Sequence, residues 1–243
     1  MAKIDLKKSA GFDLVYDQGS LISQDLTVKR SKMFSIDDIR EQLLNRELSY
    51  PEHCYTKFYS LDHEGVFEEK GFKVNIYVIP QNLAGIEFIK TRALRADTPR
   101  IMEVLSGGGT IIVQNYIKGE NDVIVSKVKR DQKILIPKGY AVSLINTRQS
   151  SFIISEVIPM DAKLTPVLDE MNGMAYYVIR KNAKQEVVRN PLYKDVVSYR
   201  KVVWEKIVQN YGITLKTPLI KQILRKHEKF EWLYANSGIT IEI

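Results

Sequence analysis

Few side chains in this sequence have the chemistry of catalysis, and their spacing keeps them apart. The histidines are His53, His63 and His227, widely separated and in unlike contexts, so no three-histidine metal set is indicated. Cys54 is the single cysteine. It follows His53 directly, and neighbours on an extended strand point to opposite faces, so the two are not placed to act on one atom. A lone cysteine forms no internal disulfide, which makes an intracellular, cytoplasmic location the default expectation. Glu87, Glu103 and Glu156 fall in strand-like segments, with nothing in their spacing to pair them as acid and base. Ser106-Gly-Gly-Gly109 is glycine-rich but no helix follows it, so it reads as a strand-to-strand turn rather than a phosphate loop. Trp204, Trp232, Tyr211 and Tyr234 stand near basic residues, as in a base-stacking platform. The plainer reading is that they anchor two helices to the rest of the chain.

The elements that must position these groups are mostly strands. Apolar segments at 55–61, 72–79, 86–91, 100–105, 110–116, 122–128, 133–136, 142–146 and 151–157 are separated by Gly, Pro and Asn turn signals. No amphipathic helix intervenes, which predicts a small closed barrel or sandwich centred on residues 86–146. Within 72–79, Val74, Ile76 and Val78 share one face and Lys73, Asn75 and Tyr77 the other. Residues 175–189 read as a hairpin turning at Lys181-Asn-Ala-Lys184. Ahead of the barrel, residues 12–16 predict a short strand. Ser35 with Asp38 three residues on predicts a capped helix from Ile36, through Leu43 and Leu44, ending before Pro51.

After Asn190-Pro191 the period becomes helical. Val196, Val197, Val203, Ile207 and Val208 predict one amphipathic helix ending near Gly212. Thr217 and Pro218 predict the cap and first residue of a second, continuing through Leu219, Ile223 and Phe230, with 239–243 as a closing strand. Residues 1–195 thus read as a barrel domain with an N-terminal arm, and 196–243 as a basic helical extension.

The 243 residues carry a net charge of +7, and 196–243 hold 8 Lys/Arg against 4 Asp/Glu, so this fifth of the chain supplies more than half of the excess. That balance leaves nucleic acid, anionic lipid and phosphorylated small molecules open as partners. No apolar run approaches the roughly 18 residues of a membrane span, so no membrane role is expected.

Several segments resemble the cupin-type phosphoglucose isomerases, the archaeal kind of glucose-6-phosphate isomerase. They are Gly11-Phe-Asp-Leu-Val-Tyr-Asp-Gln-Gly19 with Val28-Lys-Arg30, then Ile86-Glu-Phe through Thr91, and Glu103-Val-Leu-Ser-Gly-Gly-Gly109. Ile136-Pro-Lys-Gly-Tyr-Ala-Val-Ser-Leu-Ile-Asn146 and Gln185-Glu-Val-Val-Arg-Asn-Pro-Leu-Tyr193 complete the set. The resemblance spans about residues 11–195. It implies a mainly β cupin (double-stranded β-helix, jelly-roll) barrel, a homodimer, and isomerisation of a sugar phosphate in glycolysis and gluconeogenesis. The family holds a divalent metal with two histidines, a glutamate and a third histidine. Carried over by position these become Leu94, Ala96, Arg100 and Val142, so the resemblance implies a member with no metal and no cofactor, its catalysis degenerate. The family's phosphate-holding threonine is retained as Thr91. With Lys90, Arg92 and Arg100, and Arg95 nearby, it forms a candidate site for a sugar phosphate or other anion. Two other readings stand beside this one: an interaction with nucleic acid or protein through the basic extension, and a metal-independent isomerase using Glu103 or Glu87 as base.

Overall fold

The computed structural model describes residues 3–117, 120–167, 173–194, 198–234 and 243, with the backbone alone at 116, 117, 120 and 121. Two antiparallel sheets form the body. The larger has the strand order Lys133–Ile136, Arg100–Ser106, Phe152–Pro159, Phe72–Ile79, Tyr55–Asp62, Thr27–Phe34. The smaller runs Glu120–Lys129, Gly108–Ile117, Ala141–Ile145, Leu94–Ala96, Leu164–Pro166. From Leu94 onward the chain passes repeatedly from one sheet to the other, which is the double-stranded β-helix winding of a cupin.

Alternation along the strands builds three apolar layers. Met102 and Val104 of the large sheet meet Ile111, Val113, Val142 and Leu144 of the small one, forming the barrel interior. Ile101, Leu105, Val74, Ile76 and Val78 point the other way, into a second core closed by the N-terminal arm and the C-terminal helices. Ile112, Val123 and Val125 face a third, covered by Val178, Met174 and Tyr193. Glycine is required where the Arg100–Ser106 strand turns into the next. Gly107 has φ +70, and a Cβ on it would lie 2.3 Å from the Ser151 carbonyl oxygen. Of the glycine run, only Gly107 is the turn; Gly108 and Gly109 already pair as the start of the next strand, and no helix follows.

The hairpin expected at 175–189 forms from Tyr176–Lys181 and Lys184–Arg189, with Asn182 and Ala183 at positive φ. The helix expected from Ile36 to before Pro51 does not form beyond a single 3-10 turn, Arg40–Gln42. Asp38 does accept the Ser35 N–H, at 2.9 Å, as the cap pattern predicts. Gln42, however, is drawn into the body, its amide donating to Val167 O at 3.0 Å and accepting from Ala93 N at 2.7 Å. Those buried tertiary bonds outweigh the few tenths of a kcal/mol by which helix propensities differ.

The first extension helix is shorter than expected, Trp204–Asn210, and Val196 and Val197 lie outside the described residues, as does most of the strand expected at 239–243. The second is Leu219–Arg225, followed by a 3-10 segment, His227–Leu233. Trp204 and Trp232 are buried, Trp232 with its ring 5.4 Å from that of Tyr211, so these aromatics anchor the extension to the barrel. No helix among the described residues is long and apolar enough to cross a membrane.

Candidate functional site

The four positions onto which the resemblance carries metal ligands, Leu94, Ala96, Arg100 and Val142, come together at one corner of the barrel interior. Leu94 and Val142 are direct cross-strand partners, and Ala96 follows on the same face of its strand. Arg100 and Met102 point inward from the large sheet, and the Arg100 guanidinium lies against this corner. Its Nη2 donates to the carbonyl oxygens of Leu94 and Tyr140, the second at 3.4 Å. Its Nη1 donates to Glu156 Oε1 at 3.1 Å. Arg100 is 1% exposed and Glu156 is fully buried.

Glu156 is the centre of a network. Its other oxygen, Oε2, accepts from Tyr77 Oη at 2.9 Å, from Asn75 Nδ2 at 3.0 Å and from Lys57 Nζ at 3.3 Å. Lys57 also donates to Tyr77 Oη at 2.6 Å. Cross-strand register explains the convergence, because Glu156 lies directly opposite Met102 on one side and Asn75 on the other, while Lys57 pairs with Tyr77. Burial alone would raise the Glu156 carboxyl, but the Lys57 and Arg100 charges, with the Tyr77 and Asn75 hydrogen bonds, hold it down at about 2. Burial pushes the Lys57 amine down, and the pull of Glu156 opposes this only in part. Two cations thus surround one ionised carboxylate in a water-excluded interior.

The remaining expected anion-site residues are drawn into contacts of their own. Lys90 is buried, its Nζ paired with Glu87 and donating to Gln42 O, 4.8 Å from the centre of the Tyr177 ring. The Thr91 hydroxyl accepts the Leu144 N–H at 3.0 Å, tying the motif to the neighbouring strand. Arg92 lines an open cavity of about 420 Å³ with Asp37, Asp38 and Glu41. Arg95 sits in its strand between Ala141 and Thr165, on the face opposite Leu94 and Ala96. Arg92 therefore faces a cavity, whereas Lys90 and Thr91 are held internally and Arg100 is turned to Glu156.

Glu103, on the same strand as Arg100, has the opposite parity. It points out of the barrel, where Oε1 meets Lys133 Nζ at 2.7 Å and Oε2 accepts the Leu219 N–H of the extension. Burial raises its carboxyl to about 7 against the pull of Lys133. Glu87 pairs with Lys90 and accepts the Leu44 N–H at 2.8 Å. The two glutamates therefore do not share a site. His53 binds Thr56 Oγ1, His63 the Asp25 carbonyl and His227 the Lys70 amine, in three separate places. The Cys54 thiol is buried and pushed up to about 12 by burial and by the charges of Asp38 and Asp37, so it carries no thiolate reactivity.

A family model described as glucose-6-phosphate isomerase matches residues 41–195. The chain belongs to the glucose-6-phosphate isomerase family. The match covers both main sheets apart from the Thr27–Phe34 edge strand and stops before the extension. No curated protein sequence matches the chain. Solved structures that align with it include pumpkin seed globulin, at 11% identity, covering 59% of this chain and 36% of that one, with a TM-score of 0.42. Vicilin from hazelnut (Corylus avellana) aligns at 14% identity over 52% and 34%, TM-score 0.40. The salicylate 1,2-dioxygenase of Pseudaminobacter salicylatoxidans aligns at 12% over 40% and 25%, TM-score 0.30. The chain spans about a third of the length of the pumpkin and hazelnut proteins.

The metal that the isomerase family resemblance implies has no fitting donor set here. Leu94, Ala96 and Val142 carry no lone pairs. A guanidinium has only donors and a fixed positive charge, and it occupies the corner where ligands would converge. Among the described residues no three His, Cys, Asp or Glu side chains are grouped to hold an ion. Missed from the sequence were Lys57, Asn75, Tyr77 and Lys133. A lysine inside an apolar strand, as at Lys57 and Lys133, was the available signal, since an unpaired lysine is almost never buried.

Proposed function

We propose that this chain is a catalytically degenerate, metal-free member of the glucose-6-phosphate isomerase family, acting in the cytoplasm as a binding protein rather than an isomerase. The observation that carries this reading is the buried Arg100–Glu156 pair in the corner of the ligand positions. Isomerisation needs a base at the sugar carbons and an electrophile at the carbonyl, and general acid–base catalysis alone contributes about 10²–10⁴-fold. Glu156 is the carboxylate that faces the interior from the large sheet beside Arg100, and four donors occupy it. A carboxylate held near pKa 2 is a poor proton acceptor at neutral pH. Of the two bases of the metal-independent alternative, Glu103 is turned to the opposite face of its sheet and Glu87 is paired with Lys90. A residual sugar-phosphate or anion site would have Arg92 as its cation, in a cavity that Asp37, Asp38 and Glu41 also line and so make a poor one for an anion.

The test is elemental analysis of the purified protein with a coupled isomerase assay on glucose 6-phosphate and fructose 6-phosphate, with and without added divalent metal. Expected are substoichiometric metal and no turnover above background in either condition. Metal-dependent or metal-independent turnover would sink the degenerate reading. Titration of both sugar phosphates into the protein and into Arg92→Gln tests the residual site: saturable heat that is lost in the variant supports it, and no heat at millimolar ligand removes it.

A further inference from the structure

The extension carries a second pocket, beyond the residues that the isomerase family model matches. A cavity of about 200 Å³ opens between the Leu219–Arg225 helix and the segments flanking it. Thr214, Thr217, Gln222, Arg225, Lys226 and Lys229 line it, over the buried ring of Phe230. Gln222 makes the wall rigid. Its amide donates to Thr214 O at 2.8 Å and Thr217 O at 2.7 Å, and its Oε1 accepts the Thr214 N–H at 2.9 Å. The pocket is thus preformed by hydrogen bonds that no ligand has to make.

Its electrostatics are one-sided. Among the described residues no carboxylate lines the cavity, and none of the three cations forms an ion pair. Glu228, the nearest acid in sequence, is turned toward His227 at 3.7 Å. The helix C-terminus favours cations and accounts for Arg225 and Lys226. It does not account for Lys229, which lies beyond the helix on the same cavity and adds like-charge repulsion. Clustering three cations around a preformed hollow with hydroxyls on its wall suits an anion with several acceptor oxygens. Drug-sized ligand sites occupy roughly 300–1,000 Å³, so about 200 Å³ suits a smaller anionic ligand.

We propose that this pocket binds the phosphate group of a small phosphate monoester, held by Arg225, Lys226 and Lys229. The site is separate from the barrel interior and stands or falls independently of the degenerate-isomerase reading. The experiment is calorimetric titration of inorganic phosphate into the full-length protein, into Arg225→Gln/Lys229→Gln and into Arg92→Gln, at low ionic strength. Both substitutions of the double variant leave the core untouched, which an unchanged melting temperature verifies. Expected is saturable binding weakened about tenfold or more in the double variant and unchanged in Arg92→Gln. Absent saturable heat, or equal affinity in the double variant, overturns the proposal. So does a short single-stranded oligonucleotide that binds through Arg225 and Lys229 but is not displaced by phosphate, because the patch would then read a polymer backbone.

Discussion

At the scale of single residues, the decisive feature is the buried salt bridge at the corner where Leu94, Arg100 and Val142 meet. An arginine at position 100 needs a buried counter-charge, and Glu156 supplies it from the adjacent strand. The pair is costly to break from one side. Glu156→Gln keeps the shape but leaves Arg100 and Lys57 buried without an anion, and a cost of about 3–5 kcal/mol in unfolding free energy is expected. Chemical denaturation of the variant checks this. A loss below about 1 kcal/mol would mean that the network is not held as described. The pH dependence follows from the lowered Glu156 carboxyl. A folded pKa of about 2 against an ordinary value of 4.5 gives stability that is full above 4.5 and is lost as pH falls toward 2. The difference between wild type and Glu156→Gln should therefore shrink through that window, and a difference flat with pH would contradict it. Little of this pair was legible in the sequence. Arg100 could be placed by its position in a motif, but Glu156 lies 56 residues away and only strand register makes them neighbours.

At the scale of elements, periodicity was legible and the direction of each face was not. Val74, Ile76 and Val78 alternate with Asn75 and Tyr77 as an ordinary half-buried strand would. In the structure both faces are covered, the apolar one by the arm and extension and the more polar one by the barrel interior. A single sequence cannot reveal a second core whose other half lies more than a hundred residues on. The same limit applies at Thr217-Pro218, where a local cap was expected. The Leu219 N–H finds the carboxylate of Glu103 instead, in a bond between residues 116 apart. Glu103→Gln keeps an acceptor for Leu219 but leaves Lys133, 2% exposed, with the Leu215 carbonyl in place of a counter-charge. The expected result is loss of protection at Leu219–Ile223 in hydrogen exchange, with the Tyr55–Asp62 and Phe72–Ile79 strands still protected. Uniform protection in the variant would show that Glu103 does not hold the extension down.

At the scale of the molecule, the basic extension is half of a core as well as a charged surface. Val208, Ile213, Leu219, Ile220, Ile223 and Phe230 are buried against the outer face of the large sheet, in the same cluster as Ile101, Leu105, Val74, Ile76 and Val78. Burying a side chain of this size contributes about 1.5–3 kcal/mol, so the six together are worth of order 10 kcal/mol. A domain's whole stability is about 5–15 kcal/mol. Deleting 198–243 should therefore leave a barrel that is unfolded or aggregated, with the apolar outer sheet face open to other chains. Circular dichroism and light scattering on the truncated protein measure this directly. A monomeric, cooperatively melting truncation would show that the barrel completes its own core, and that the extension serves only what its charged surface binds. If the truncation collapses as expected, any loss of ligand binding on deletion reports lost folding, which is why point changes at Arg225 and Lys229 separate the two roles of the extension.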